Sequence, residues 1–207
     1  MSRKRTQSTK SRQPAGRRPG QTNRLRIIGG EHRGRQLVFP DSQGLRPTSD
    51  RTRETLFNWL QPMLPGAACL DLFAGSGALG FEAASRGAGR VTLLEQNPKV
   101  FQQLQENQQL LRLNQLAIQQ GDALSWLEQP AVAFDIVFLD PPFADHLLTE
   151  CCQKLDQNGW LASDPRIYLE WDLKGPSPEL PANWRPLKQK KAGQVVYALY
   201  TRSADNG

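Results

Sequence analysis

The first stretch of the chain has no apolar pattern: residues 2–24 contain no Ile, Leu, Val, Met or aromatic residue. Apolar positions then arrive in two short runs, Leu25-Arg26-Ile27-Ile28 and Arg35-Gln36-Leu37-Val38-Phe39. Gly29-Gly30 follows the first and Pro40 ends the second, so the pair predicts a β-hairpin. Its connection, Glu31-His32-Arg33-Gly34, is polar, and His32 reads as a surface loop residue. Asp50 has the position of an N-cap. Leu56, Phe57 and Leu60 follow at helical spacing and stop before Pro62. Residues 24–62 are therefore expected to form a small hairpin-plus-helix extension.

From residue 66 the pattern changes. Ala67-Ala68-Cys69-Leu70, Val91-Thr92-Leu93-Leu94, Leu116-Ala117-Ile118 and Phe134-Asp135-Ile136-Val137-Phe138-Leu139 read as buried strands. Ile167-Tyr168-Leu169 and Val195 to Tyr200 follow. Helical spacing lies between them, clearest at Val100, Leu104, Leu110, Leu111 and Leu113. Strands alternating with helices predict an α/β domain over 63–202 with a mostly parallel sheet. Lys188 to Tyr200 reads instead as strand, turn at Gly193, strand: an antiparallel pair at one edge.

Charge divides the chain earlier, where the stretch without apolar residues ends. The 207 residues carry a net charge of +6, yet residues 1–26 hold nine basic residues and no acid. The remainder carries 17 basic against 20 acidic residues. Residues 1–23 read as a disordered basic arm on a mildly acidic body, and such arms touch nucleic acid or stay solvated. The arm has neither the apolar core of a signal peptide nor an amphipathic face, so a cytoplasmic protein is expected. No apolar run reaches the ~18 residues of a membrane helix. Cys69, Cys151 and Cys152 have no CxxC spacing, which predicts neither a disulfide framework nor a metal site.

Asp71-Leu72-Phe73-Ala74-Gly75-Ser76-Gly77-Ala78-Leu79-Gly80 follows the first strand of the body and opens a helix. Glycines at this spacing let the backbone turn sharply and approach a ligand. Glu95 ends the next strand, where a carboxylate accepts hydrogen bonds from ribose hydroxyls. A dinucleotide and S-adenosylmethionine both fit that frame. A pyrophosphate wants a bare helix N-terminus, whereas an ammonium and a sulfonium want acids, and Asp71 is an acid four residues before Gly75. Asp122, in Gly121-Asp122-Ala123 after the third strand, suits an adenine amino group and equally suits a helix N-cap.

Asp140-Pro141-Pro142-Phe143 ends the most apolar strand. In a doubly wound sheet that strand end faces the glycine loop across the ligand crevice. Two prolines remove two N–H donors, leaving the Asp140 carboxylate and the Pro141 carbonyl as acceptors beside the flat face of Phe143. A planar amine on an aromatic ring fits: its N–H bonds meet the acceptors while the ring stacks.

The series Asp71, Gly75-Ser76-Gly77, Glu95, Asp122 and Asp140-Pro141-Pro142-Phe143 resembles class I S-adenosylmethionine-dependent methyltransferases of exocyclic nucleobase amines. Arg26-Ile27-Ile28-Gly29-Gly30, Arg33-Gly34-Arg35, Arg46-Pro47-Thr48 and Arg51-Thr52-Arg53-Glu54-Thr55-Leu56-Phe57-Asn58 extend the likeness. Across roughly residues 24–200 the chain is similar to the RsmD family, which methylates the 2-amino group of a guanine in bacterial small-subunit ribosomal RNA. The resemblance implies a Rossmann-like seven-stranded sheet of order 3-2-1-4-5-7-6, with the seventh strand antiparallel. It implies S-adenosylmethionine as cofactor and ribosomal RNA or the small subunit as partner, with no metal, no membrane and a monomer. The catalytic set it implies is Asp140, Pro141, Pro142 and Phe143. The cofactor set is Asp71, Phe73, Gly75, Ser76, Gly77, Glu95, Gln96, Asp122 and Ala123. The RNA-contacting set is Arg26, Arg33, Arg35, Arg46, Thr48 and Arg51.

Arg53 belongs beside that last set, since arginines so dense in a net-acidic body favour phosphate contact over a merely solvated surface. Lys188, Lys190 and Lys191 read better as edge-strand lysines that block aggregation. Trp59, Trp126, Trp160 and Trp184 read as core or semi-core residues. Glu170 ends a strand and is equally a pocket-lining or an ordinary strand-end acid. Two rivals remain: a DNA amino-methyltransferase, for which 207 residues leave little room for target recognition, and a non-catalytic nucleic-acid-binding module, against which the intact Asp71, Glu95 and Asp140 argue.

Overall fold

Seven strands form one sheet in the order β5-β4-β3-β6-β7-β9-β8. They are β3 (Ala68–Asp71), β4 (Arg90–Glu95), β5 (Leu116–Gln120), β6 (Phe134–Leu139), β7 (Leu161–Asp172), β8 (Trp184–Ala192) and β9 (Val195–Arg202). In the sheet's own numbering this is 3-2-1-4-5-7-6, and β9 runs antiparallel to both neighbours. A separate antiparallel ribbon, β1 (Asn23–Arg26) with β2 (Gln36–Phe39), precedes helix α1 (Asp50–Leu60). The remaining helices are α2 (Ala78–Ser85), α3 (Pro98–Leu111), α4 (Ala123–Trp126) and α5 (Leu148–Gln157). This is a computed structural model, and it describes residues 23–41, 48–142 and 147–203. The expected arm up to residue 22, Arg46 and Phe143 fall outside those residues, while Asn23, expected to end the disordered arm, opens β1.

The pleat explains the layers. Alternate residues of a strand face opposite sides, and both sides of this sheet are covered. Ile136 and Phe138 of β6 enter one core with Ile27, Leu37, Leu56, Phe57, Phe81 and Leu104, that is, with the ribbon and α1–α3. Val137 and Leu139 enter the other with Trp126, Cys151, Cys152 and Leu155 of α4 and α5. The near-continuous apolar run of β6 is what a strand buried on both faces requires. Trp126 and Trp160 stack with centroids 4.2 Å apart in the second core, and the three cysteines are buried free thiols. Among the described residues no helix is long and apolar enough to cross a membrane.

Several local expectations shift. Ser49, not Asp50, caps α1, its hydroxyl accepting from the Thr52 N–H at 3.2 Å. Asp50 instead pairs with Arg26 and Arg53. β7 is far longer than its apolar run, because the register jumps between Phe134↔Leu161 and Ile136↔Arg166 and carries Pro165 past the ladder. β8 likewise starts at Trp184, with Pro186 beside a register shift on the sheet edge, where a missing N–H does least harm.

The ribbon is clamped to α2. Ser85 donates its hydroxyl to Gly29 O at 2.6 Å and accepts the His32 N–H, while its carbonyl accepts the Glu31 N–H. Gly30 has φ +77°, and a Cβ there would lie 1.8 Å from the Ser85 carbonyl oxygen. The fully buried Glu82 accepts from Ile28 N, from Arg86 at 2.7 Å and from Arg53 at 3.5 Å. His32 is thus no free surface residue. It is half-buried, with Nε2 3.0 Å from the Leu111 carbonyl at the end of α3.

Candidate active site

The ends of β3, β4 and β6 form one side of the candidate site. Register places Asp71 beside Leu93 and Phe138, so the loop that follows β3 spans the ends of both neighbours. Leu72 N–H donates to Phe138 O, Ala74 N–H to Leu94 O and Gly77 N–H to Ala74 O. Gly75 and Gly77 hold φ of 49° and 78°, conformations that glycine adopts without steric penalty. A Cβ on Gly77 would meet Phe81 at 2.5 Å and Leu104 at 2.8 Å, and one on Gly80 would meet Leu93 at 2.8 Å. Two glycines therefore let α2 pack closely as the loop turns into it.

Two of the acids assigned to a cofactor also build that loop. Asp71 accepts the Gly80 N–H at 2.9 Å. Glu95 accepts the Gly75 N–H at 2.9 Å through one oxygen and the Asn97 N–H at 2.7 Å through the other. Burial pushes Asp71 up to about 7, against the pull of the Gly80 N–H, and the Glu95 charge adds to the rise. Burial also raises Glu95, opposed by the backbone N–H groups of Asn97, Gly75 and Gln96.

The register Leu139↔Leu169 brings Asp140 beside Glu170. Thr48 donates its hydroxyl to Asp140 Oδ2 at 3.1 Å, and Tyr168 donates to Glu170 Oε1 at 2.6 Å. Burial raises Asp140 well above the usual carboxylate range, and the nearby Glu170 charge raises it further. Glu170 is raised by burial and eased by the Tyr168 and Thr48 hydroxyls. Among the described residues, no basic side chain pairs with Asp71, Glu95, Asp140 or Glu170. Four carboxyl groups crowded without counter-charge favour a cationic ligand. A sulfonium with an ammonium fits this donor set, and a pyrophosphate does not.

The other expected site residues fall as follows. Pro141 is buried and Pro142 exposed, Phe73 is half-buried, and Ser76 and Ala123 are buried. Gln96 and Asp122 are exposed, and Asp122 caps α4 by accepting the Ser125 N–H at 2.9 Å. Arg33, Arg35 and Arg51 are exposed, whereas Arg26 is exposed but paired with Asp50 at 3.1 Å. Two clefts lie along these residues. One, of about 420 Å³, runs from Arg24 and Arg26 to Thr48. The other, of about 510 Å³, is lined by Arg26, Arg33, Asn58 and Arg86.

Thr48, grouped from the sequence with the RNA contacts, lies buried against Asp140 instead. Arg53 is only 1% exposed, tied to Asp50, Glu82 and the Arg26 carbonyl, so it is a structural ion and not a phosphate contact. Tyr168 escaped the sequence reading because it looked like any apolar strand residue. Its i, i+2 spacing to Glu170 on one strand face was the available signal. Lys188, Lys190 and Lys191 are exposed on the edge strand β8, and Lys190 Nζ lies 5.9 Å from the Trp59 ring centre.

Residues 25–201 match the family described as Conserved hypothetical protein 95. The chain is 50% identical over 183 residues to Ribosomal RNA small subunit methyltransferase D of Escherichia coli, covering 88% of this chain and 92% of that protein. The Haemophilus influenzae protein of the same name is 46% identical over 186 residues, covering 88% and 96%. A solved structure of a candidate methyltransferase from Escherichia coli superposes with a TM-score of 0.83 at 48% identity, covering 88% of this chain and all of that one.

Proposed function

Since this chain belongs to the RsmD family, described as Conserved hypothetical protein 95, we propose that it methylates the exocyclic 2-amino group of a guanine in small-subunit ribosomal RNA, with S-adenosylmethionine as donor. The cofactor, when bound, supplies an electrophilic methyl group. Asp71 and Glu95 hold its cationic and ribose parts, with Phe73, Gly75, Ser76, Gly77 and Gln96 around them and Asp122 and Ala123 toward the adenine. Glu95 keeps the glycine loop in place while doing so.

Asp140 and the Pro141 carbonyl accept the two N–H bonds of the amine, and Pro142 stiffens the turn that presents them. Accepting those protons leaves electron density on a nitrogen whose lone pair is otherwise delocalised into the ring. It also aims that lone pair, which supplies the proximity contribution. Phe143 stacks on the base. Arg26 and Arg33, which line the clefts, hold RNA phosphates together with Arg35, Arg46 and Arg51, and the arm 1–23 adds further contacts. We divide the chain into that arm, the extension 24–62 and the methyltransferase domain 63–202, and assign it to the cytoplasm as a monomer free of metal.

One observation carries this reading: a half-buried Asp140 that no described basic side chain pairs with, held by the Thr48 hydroxyl at the sheet end that also carries Asp71 and Glu95. The test is mass mapping of ribosomal RNA after reaction with labelled cofactor, using small subunits, naked RNA and DNA in parallel. One methylguanine in small-subunit RNA is expected. Asp140→Ala should lose it while still binding cofactor. Label in DNA alone, or an active Asp140→Ala, would overturn the assignment.

A further inference from the structure

Asp140 does not act on its own in this fold. Its neighbour on the next strand, Glu170, is 5% exposed and held by the Tyr168 hydroxyl. Thr48, which donates to Asp140, also faces Glu170. The groups around the two carboxyls are Asp71 from β3, Tyr168 from β7, Tyr197 from β9 and Thr48 from the segment before α1. None of these is a cation. Two adjacent carboxylates in such a place do not both stay ionised, and their protons come off as a pair.

We propose that Asp140 and Glu170 form one proton-holding pair, which keeps a single proton in the free protein, gives it up when the sulfonium-bearing cofactor binds, and takes one back from the methylated amine. The inference rests on the amino-methylation reading above. In that reaction the nitrogen lone pair forms the N–C bond, and the C–S electron pair stays on sulfur. The nitrogen then gives up one N–H proton to end neutral. A methyl within reach of the amine puts the positive sulfur near Asp140, because reacting atoms must approach to about 3–3.5 Å. The pocket then keeps the same charge throughout. The half-protonated pair alone, the doubly ionised pair with a sulfonium, and the half-protonated pair with a neutral thioether all have equal net charge. Glu170 is accordingly a positioning residue. It acts through Asp140, and Tyr168 sets how readily it takes the proton.

Calorimetry in buffers of different ionisation enthalpy reads this directly. S-adenosylmethionine and S-adenosylhomocysteine differ by the sulfonium charge. The wild type near pH 7 should release about one proton more with the first than with the second. Glu170→Gln should reduce that difference, because without the Glu170 charge Asp140 ionises at lower pH even though burial still raises it. Asp71→Asn should keep most of it, which separates the pair from the other raised acid. Tyr168→Phe removes a donor to the Glu170 carboxylate, so the pH of half-release should move upward. This variant decides the matter if Glu170→Gln does not fold. Equal proton release for the two ligands in the wild type, or a wild-type difference in folded Glu170→Gln, would overturn the pair and leave the methylation reading standing. Failure of both ligands to bind would remove the two together.

Discussion

Asp71 should make the ligand-free protein lose stability as pH rises, and Asp71→Asn should remove that loss. The carboxyl ionises near its ordinary value of 3.8 in the unfolded chain and near 7 in the folded one. Between those values the folded state holds the extra proton. Stability therefore falls with rising pH, by at most ~1.4 kcal/mol per pH unit. The interval of roughly three units makes the total about 4 kcal/mol, an upper figure because water penetration and relaxation soften burial. The loss is complete above pH 7 and absent below pH 4. Urea denaturation at pH 4.5, 6 and 8 on wild type and Asp71→Asn measures it, since the difference between the two curves isolates one group. The wild type should weaken by several kcal/mol relative to the variant across this range. Parallel curves would show that Asp71 is ionised in the folded protein, and the case for a charge-starved pocket would lose its main support. A cationic ligand should flatten the wild-type curve by stabilising the ionised form.

Gly30→Ala should cost at least ~2 kcal/mol, because it adds a clash with the Ser85 carbonyl to an unfavourable φ, whereas Gly34→Ala, with φ +84° and open space, should cost about 1. Equal melting temperatures for the two variants would contradict the clamp of ribbon on helix. Arg53→Met leaves Glu82 buried with a weaker set of partners and should cost ~3 kcal/mol, part of it restored by adding Glu82→Gln; chemical denaturation without any recovery in the double variant would argue against the ion network. Thr48→Val removes the hydroxyl on Asp140 and should slow single-turnover methylation about tenfold or more with cofactor affinity unchanged, an expectation that a wild-type rate defeats. Replacing Arg33, Arg35 and Arg51 by Gln should lower the salt slope of RNA binding by ~0.7–0.9 for each lost phosphate contact, and a constant slope would take these residues off the RNA.

Strand and helix placement and the convergence of Asp71, Glu95 and Asp140 were legible because each rests on a local rule, whereas the sheet order came only with the family resemblance. Those rules are strand runs buried on both faces, glycines where the chain must turn, and acids at strand ends. What stayed hidden depended on distance across the fold. Thr48 lies 92 positions from Asp140, and nothing in its own surroundings reveals that contact. Arg53 looked like its exposed neighbours because of its charge, although its spacing to Leu56, Phe57 and Leu60 (i+3, i+4, i+7) already placed it on the buried face of α1. The partner that decides the matter, Glu82, lies on α2. Asp122 kept both of its readings because a helix cap and a ligand acceptor need the same side chain at the same place. The prolines of β7 and β8 masked strand by removing ladder donors, and only the register shifts show how the sheet absorbs them.

The slot that β9 fills has a consequence for how the protein is made. β9 lies between β7 and β8, although it follows both in the chain. Neither of those strands can complete its ladder on that side until residues 195–202 have been synthesised. From its own synthesis until residues 195–202 follow, β7 therefore presents an open edge beside the carboxyl pair, with Tyr197 not yet in place. Late insertion of a central strand is slow relative to local pairing, and an open apolar edge is where nascent chains aggregate. The lysines of β8 then shield the growing chain before they border the finished sheet. A product shortened by a single strand would lack the sheet's second-to-last member, and the wall behind Glu170 would be missing with it.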